Sequence, residues 1–382
     1  MKKYTDRGKK DTRSGFGAGL LEAGKADSRV VALTADLKGS LKMDAFAAEF
    51  PQRYYECGIA EANMIGVASG MALTGKVPFA GSFAEFVTGR VYDQIRMEVC
   101  YGKTNVKIAS SHAGVTLGED GATHQTMEDI ALMRVLPDMV VINPCDWTQT
   151  KNATIAAAKY DGPVYLRFGR PKVADFMPDE PFEIGKAYVL NEGKDVSIFA
   201  TGHMVWEALQ AAEALEAEGI CAEIIDIATI KPLDTKAVLA SAIKTGAVVV
   251  AEEHNMAGGL GELIAGVLAA TSPKPIEYVN DVGYEYKKHP IQPFDVIKQC
   301  FSFEERKGFY RGNVLKYIMR MNDKGQEESD AQKALAYCQE LVNVYEEKPK
   351  RFNQDEVQKV LSRHGKIQCV QEEKCIPIQG ND

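Results

Sequence analysis

The sequence lacks the features that mark several broad classes of protein. Its 45 Lys and Arg residues are outnumbered by 53 Asp and Glu residues, and the formal net charge is −8. A surface that grips nucleic acid needs an excess of cations, so this balance argues against a general polyanion binder. No apolar run approaches the ~18 residues of a membrane-spanning helix. The charged start leads into no apolar signal core. We therefore expect no nucleic-acid partner, no membrane partner and a cytoplasmic location.

Cysteine is sparse, and its spacing favours neither a disulfide framework nor a metal site. The 8 cysteines among 382 residues form no Cys-x-x-Cys pair. Zinc sites usually combine such pairs with nearby His ligands, and disulfide frameworks belong mostly to short secreted chains. We expect reduced thiols that serve as small core residues, and no metal ligand in this chain.

Short apolar runs alternate with longer segments, which predicts an α/β fold. The first runs are almost continuously apolar, as in strands buried on both faces of a parallel sheet: residues 30–33, 77–80, 106–109, 139–142 and 164–166. Segments 61–73, 84–101 and 147–160 have the length of crossover helices. The proline-containing residues 171–181 predict a linker, and a second series of strands and helices follows at residues 196–279. We predict two tandem parallel-sheet α/β domains, at residues 9–175 and 182–285.

Beyond residue 280 the pattern predicts a small α-helical appendage. Residues 290–345 contain no strand-like run, whereas Val314, Leu315, Ile318 and Met319 fall on one helical face. We assign residues 288–346 to the appendage and residues 347–382 to a charged tail.

Residues 58–70 place the carboxylate of Glu61 at the start of a helix of small and apolar residues. An acid at this position is favourable to the helix dipole in any protein. The small residues at positions 62, 66, 69 and 70 also allow another backbone to approach closely. We therefore predict that Glu61 is buried at an interface.

Two further segments carry candidate binding residues. Phe83 and Phe86 lie three apart at a predicted strand-to-helix junction, where either core packing or the stacking of a flat heteroaromatic ligand accounts for them. His112 and His124 lie in residues 110–125, just after a buried strand, where open α/β sheets usually form their sites. Hydrogen bonding to a polyhydroxylated substrate and a self-contained loop network both fit this second segment.

Taken in order, these segments resemble the C-terminal half of a transketolase over roughly residues 9–285. The motifs are Gly58-Ile59-Ala60-Glu61-Ala62-Asn63-Met64, Phe83-Ala84-Glu85-Phe86, Tyr92-Asp93-Gln94-Ile95-Arg96-Met97, Ser111-His112, Gly118-Glu119-Asp120-Gly121 and Ile230-Lys231-Pro232-Leu233-Asp234. The resemblance implies a thiamine-diphosphate pyrimidine-binding domain and then a transketolase C-terminal-like domain. It also implies the transfer of a two-carbon ketol unit between sugar phosphates.

The resemblance implies roles for individual residues. Glu61 corresponds to the family glutamate that hydrogen-bonds the aminopyrimidine ring of the cofactor and activates it. The residues that correspond to groups orienting the donor hydroxyls are Asp120 and His124. Those that correspond to further cofactor contacts are Phe83, Phe86, Asp36 and Leu37. Those that correspond to the sugar-phosphate site are Arg13, Ser40, His112 and Arg170.

One family motif does not occur in the sequence. Transketolases hold the cofactor diphosphate through Mg²⁺ or Ca²⁺ with a Gly-Asp-Gly motif followed by Asn, and no such motif is present. The resemblance therefore implies the second subunit of a split transketolase, whose N-terminal-type partner subunit ligates the metal ion. It also implies self-association into a dimer of heterodimers.

Several alternatives remain at this point. A 1-deoxyxylulose-5-phosphate synthase or a 2-oxo acid dehydrogenase β subunit shares the pyrimidine-domain glutamate, although Ser111-His112 with residues 118–121 favours transketolase. A catalytically silent assembly or regulatory protein is the third alternative, and the presence of Glu61, His112, Asp120 and His124 together counts against it.

The appendage is similar to a small helical family of unknown function, often encoded by bacteriophages and sometimes labelled nucleotide kinase. No phosphate-binding loop supports a kinase activity.

Overall fold

Two sheets of mostly parallel strands organise the fold, which a computed structural model describes for residues 4–271. The strands are β1 (Lys10–Asp11), β2 (Val30–Thr34), β3 (Tyr54–Glu56), β4 (Val77–Phe83), β5 (Lys107–Ser111), β6 (Val140–Ile142), β7 (Val164–Arg167), β8 (Lys172–Val173), β9 (Tyr188–Asn191), β10 (Val196–Ala200), β11 (Ala222–Asp226), β12 (Thr229–Lys231) and β13 (Val248–Ala251). The α-helices are α1 (Thr12–Ala26), α2 (Asp44–Glu49), α3 (Glu61–Leu73), α4 (Ala84–Thr88), α5 (Tyr92–Gln94), α6 (Asp129–Val135), α7 (Trp147–Lys159), α8 (Met204–Ala217), α9 (Thr235–Thr245) and α10 (Leu260–Thr271).

The first sheet has seven strands in the order β12-β6-β7-β5-β4-β2-β3. Strands β2, β4, β5, β6 and β7 are buried along their whole length, which confirms the prediction of strands covered on both faces. One face packs a cluster containing Phe16, Phe46 and Phe79, and the other packs a cluster containing Met64 and Ile108. These two hydrophobic layers hold the ends of the central strands in fixed positions.

The second sheet has four strands in the order β13-β10-β11-β9, and both sheets are mixed at one edge. Strand β9 pairs with β11 in the antiparallel sense, and β12 pairs with β6 in the same sense. Only Ile227 and Ala228 separate β11 from β12, which is too short for a crossover helix. Strand β12 therefore leaves the second series and completes the edge of the first sheet.

Two segments differ locally from the sequence prediction. The helix predicted over residues 84–101 is broken into α4, α5 and a π-helix at Ile95–Tyr101, with Gly89 and Arg90 in the break. The predicted linker is well packed, because the carboxylate of Asp146 accepts hydrogen bonds from the backbone N–H groups of Phe176 (2.8 Å) and Met177 (2.6 Å). It therefore contributes to the core rather than merely connecting the two sheets.

Some predictions fall on residues that the structure does not describe. These are the strand at residues 276–279, the helical appendage at residues 288–346 and the charged tail at residues 347–382. Among residues 4–271, no helix is both long enough and apolar enough to span a bilayer. Cys57, Cys100, Cys145 and Cys221 carry free thiols, and two of them, Cys100 and Cys145, are buried.

Candidate active site

The carboxyl ends of neighbouring parallel strands bring the sequence-predicted site residues to one edge of the first sheet. Strands β7, β5, β4, β2 and β3 are adjacent and parallel, so the segments that follow them meet at the same edge. The predicted residues at or just after these five strands, in sheet order, are Arg170, His112, Phe83, Asp36 and Glu61. The sheet topology thus collects groups that lie far apart in the sequence.

Four rings form an aromatic cluster at this edge, made of Phe83, Phe86, His112 and His124. The centroids of Phe83 and Phe86 lie 5.9 Å apart with their planes at 28°. His112 lies against Phe83 at 3.9 Å, and His124 meets Phe86 edge-on at 5.1 Å. Phe83 is buried whereas Phe86 is half-buried, so the cluster presents a partly accessible aromatic face.

Glu61 is the first residue of α3 and is only 4% exposed, although it carries a carboxylate. Arg90 Nη1 donates a hydrogen bond to Glu61 Oε1 at 2.9 Å. The same guanidinium lies 4.1 Å from the centroid of the Phe86 ring. Arg90 therefore connects the carboxylate to the aromatic cluster. Because the Arg90 side chain is 50% exposed, this ion pair contributes little to folding stability, and its main consequence is the orientation of Glu61.

Glu56 is a site-forming residue that the sequence analysis missed. Its Oε1 accepts hydrogen bonds from the backbone N–H of Asp36 (2.7 Å) and of Gly58 (3.1 Å), and its Oε2 accepts one from Tyr54 (2.7 Å). Burial alone would raise the pKa of Glu56, but these donors hold it below its ordinary value. The charged carboxylate thus ties the loop after β2 to the turn that leads into α3.

Asp36 and Leu37, in the loop after β2, differ in their exposure to solvent. Asp36 is exposed and has a left-handed backbone, with φ of 59°. Leu37 is half-buried and packs against the hydrophobic cluster beneath the sheet. The hydrogen bonds of Glu56 therefore hold the backbone of Asp36 near the start of α3. The side chain of Leu37 packs against the hydrophobic core.

Arg13 and Arg170 form a cationic corner of the site, and they lie near the ring of His112. Arg13 lies in the first turn of α1 and donates to the backbone oxygen of Ser40 at 3.2 Å. Arg170 donates to the backbone oxygen of Leu117 at 2.6 Å. Burial, and then the positive charges of Arg13 and Arg170, lower the pKa of His112 to about 3. His112 is therefore neutral at physiological pH, and its Nδ1 shares a 2.7 Å hydrogen bond with Ser111.

Asp120 and His124, the two residues predicted to orient donor hydroxyls, lie in different surroundings on the same loop. His124 joins the aromatic cluster, and its Nδ1 lies 2.8 Å from Thr123 Oγ1. Asp120 is exposed at the start of the short 3₁₀ turn Gly121–Thr123. Among residues 4–271, no group of three or more His, Cys, Asp or Glu side chains is arranged to hold a metal ion.

Comparison with protein families gives three matches along the chain. Residues 8–175 match the transketolase pyrimidine-binding domain, and residues 185–292 match the transketolase C-terminal domain. Residues 284–339 match a protein family of unknown function, DUF3310.

Individual relatives extend over most of the described residues. Over 264 residues the chain is 48% identical to a putative transketolase C-terminal section of Methanocaldococcus jannaschii. The match covers 68% of this chain and 83% of that protein. Over 300 residues it is 43% identical to the 6-deoxy-6-sulfo-D-fructose transketolase subunit SqwH of Clostridium sp. strain MSTE9, covering 76% of this chain and 93% of that protein. A solved structure of a split gene transketolase, an inactive β4 tetramer, is 49% identical with a TM-score of 0.67, and the match covers 72% of this chain and 91% of that one.

Proposed function

Because the chain belongs to the transketolase family, we propose that it is the C-terminal subunit of a split transketolase and transfers a two-carbon ketol unit between sugar phosphates. Family membership confirms the resemblance predicted from the ordered motifs. It also implies dependence on thiamine diphosphate, which when bound supplies a nucleophilic carbon for cleavage of the donor's carbon–carbon bond. The observation that carries the proposal is a buried carboxylate, Glu61, connected through Arg90 to an aromatic face.

The residues at this edge fit the aminopyrimidine ring of the cofactor. The half-buried Phe86 and its neighbour Phe83 offer a face on which a flat heteroaromatic ring can stack. Arg90 donates its hydrogen bond to Oε1 of Glu61. Among residues 4–271 this leaves Oε2 as an acceptor for a ring N–H of the cofactor. A carboxylate held by Arg90 and shielded from water can hold or move a proton at that ring atom.

A second polypeptide would complete the pocket. The face of α3 next to Glu61 exposes the small residues Ala62 and Gly70, and it also exposes Leu73 at 77%. Tyr101, at the end of the neighbouring π-helix, is 80% exposed. Small residues allow close backbone approach and the apolar side chains favour burial, as at protein–protein interfaces. We propose that an N-terminal-type subunit covers this face and ligates Mg²⁺ or Ca²⁺ with the cofactor diphosphate. We also propose that the pairs associate as a dimer of heterodimers.

The cationic corner fits the phosphate of a sugar. Arg13 and Arg170 supply guanidinium groups, which are also paired with Asp11 and Glu119. The neutral ring of His112 supplies a directional hydrogen-bond donor when Ser111 donates to Nδ1. The oxygen of Ser40 holds Arg13 in place. His124 lies on the aromatic side of the same edge, where it can meet a donor hydroxyl, and Asp120 belongs to the loop that bears it.

The proposed function is tested with the assembled complex. The tagged chain is purified from its native cell, and any co-purifying chain of transketolase N-terminal type is expressed with it. We expect ketol transfer from fructose 6-phosphate, xylulose 5-phosphate or 6-deoxy-6-sulfofructose to an aldose phosphate, dependent on thiamine diphosphate and a divalent cation. A complex that binds the cofactor and transfers no ketol unit from any of the three donors would instead support a silent assembly protein.

Replacing Arg170 with alanine tests the phosphate corner. Loss of a charge-assisted hydrogen bond costs about 1.5–3 kcal/mol, so we expect the KM of a phosphorylated donor to rise roughly 10- to 150-fold with a smaller change in kcat. An unphosphorylated ketose serves as the matched substrate, and its kcat/KM should change less than threefold. Equal losses for both substrates would mean that Arg170 acts only by holding Leu117 and the loop. Arg29→Ala, which removes an exposed arginine paired with Asp27, is the control variant.

A further inference from the structure

The loop that carries Asp120 and His124 is tied to the second α/β series at both of its ends. Near its start, the backbone N–H of Thr116 donates to Glu253 Oε1 at 2.6 Å. Near its end, the backbone N–H of Asn255 donates to the Met127 oxygen at 2.9 Å. Glu253 and Asn255 lie just after β13, so the segment that follows one strand of the second sheet holds a loop of the first.

Glu253 is itself fixed by the buried core of the first sheet. Its backbone oxygen accepts a hydrogen bond from Arg167 Nη2 at 2.9 Å. Arg167 Nε in turn donates to Asp129 Oδ2 at 2.7 Å, and the hydroxyl of Tyr165 donates to the same oxygen at 2.6 Å. Arg167, Asp129 and Tyr165 are all buried. A fully paired buried network of this kind is rigid, so Glu253 is a fixed point against which the loop is held.

Gly114 shows how closely the Glu253 carboxyl group packs on the loop. Its backbone is left-handed, with φ of 83°, and a Cβ built on it would lie 2.2 Å from Glu253 Cδ. A Cβ at this position would have to displace the Glu253 carboxyl group, and the left-handed backbone also favours glycine. Gly114 is two residues from His112, so the contact fixes the backbone next to that ring.

We propose that Glu253 is a positioning residue: it holds residues 114–116 so that His112 and the loop bearing His124 keep their orientation toward the sugar substrate. The consequence for turnover rests on the proposed function, whereas the holding contact does not. On this proposal the second α/β series has a specific task in the reaction, because it supplies the carboxylate that orders a substrate loop of the first sheet.

The holding contact is tested on the full chain without any partner, by hydrogen exchange measured by mass spectrometry. In Glu253→Ala we expect peptides covering residues 113–118 to exchange roughly 10- to 100-fold faster, because a backbone N–H loses a charged acceptor. Glu253→Gln keeps an acceptor oxygen and should restore most of the protection. Glu262→Gln is the matched control, because Glu262 pairs with Arg134 across the same two regions without touching the loop. Unchanged exchange in Glu253→Ala would overturn the proposal.

A second variant separates this contact from general damage. Gly114→Ala introduces a Cβ against the Glu253 carboxyl group, so we expect it to speed exchange over residues 113–118 in the wild-type background. In the Glu253→Ala background the same substitution should add a smaller change, because the atoms that it would strike are gone. Purely additive effects would contradict direct packing between the two residues.

Turnover of the assembled complex provides the last readout. We expect Glu253→Ala to lower kcat/KM for the donor sugar about 10-fold or more, largely through KM, as loss of substrate positioning does. The affinity for thiamine diphosphate should stay unchanged, and Glu253→Gln should recover most of the activity. Faster exchange with unaltered kcat/KM would overturn the positioning role. Faster exchange in Glu253→Ala, together with a wild-type complex that transfers no ketol unit, would support the holding contact while refuting the proposed function.

Discussion

Glu61→Ala is expected to lower ketol transfer by the assembled complex roughly 10³-fold or more, because one positioned proton-transfer group contributes about 10²–10⁴-fold to catalysis. Steady-state kinetics with saturating cofactor and donor measure the effect on kcat. Glu61→Gln should be nearly as inactive, since an amide keeps the shape but neither holds nor moves the proton.

Folding and assembly of the Glu61→Ala variant should be preserved. Its partner Arg90 is half-exposed, so the guanidinium can be hydrated when the carboxylate is removed, and the melting temperature should change little. Glu213→Ala, an exposed glutamate on α8, serves as the control and should leave kcat unchanged. Size-exclusion chromatography with the partner subunit verifies that the complex forms. Near-normal kcat in Glu61→Ala would contradict the assigned role.

The isolated chain is expected to show no ketol transfer and to bind thiamine diphosphate at least roughly 100-fold more weakly than the complex, because each lost charged hydrogen bond costs about 1.5–3 kcal/mol. Residues 4–271 supply the aromatic face and Glu61 but no group of metal-ligating side chains for the diphosphate. Isothermal titration calorimetry of the chain in the presence of Mg²⁺, with and without the partner subunit, measures the difference.

A matched ligand sharpens that comparison. Thiamine without its diphosphate retains the aminopyrimidine ring, so its affinity for the chain should depend on Phe83 and Phe86 and should change less when Mg²⁺ is removed. Robust turnover by the purified chain alone would refute the split-subunit proposal.

Several features could be predicted from the sequence because they depend on neighbouring residues. Continuous apolar runs of strand length predicted the buried central strands. Small residues that follow an acid predicted that Glu61 lies at the beginning of a helix, which is α3. The three-residue spacing of Phe83 and Phe86 across a strand-to-helix junction left core packing and ligand stacking open, and in the structure their two rings stack on each other. Alternation of strands and helices gave the α/β class and the common edge at which the site residues meet.

The contacts between side chains at that edge depend on long-range packing. A hydrogen bond joins Arg90 to Glu61, which lies 29 residues away in the sequence, and another joins Glu253 to Thr116, which lies 137 residues away. The pairing of β12 with β6 also joins segments that no local periodicity relates. Propensity and periodicity act over a few residues, whereas these contacts depend on how sheets pack and where loops of different strands converge. Local sequence patterns are sufficient to identify the helices, the strands and the candidate site residues. The packing of the two sheets sets which of those residues orient, hold or cover the others.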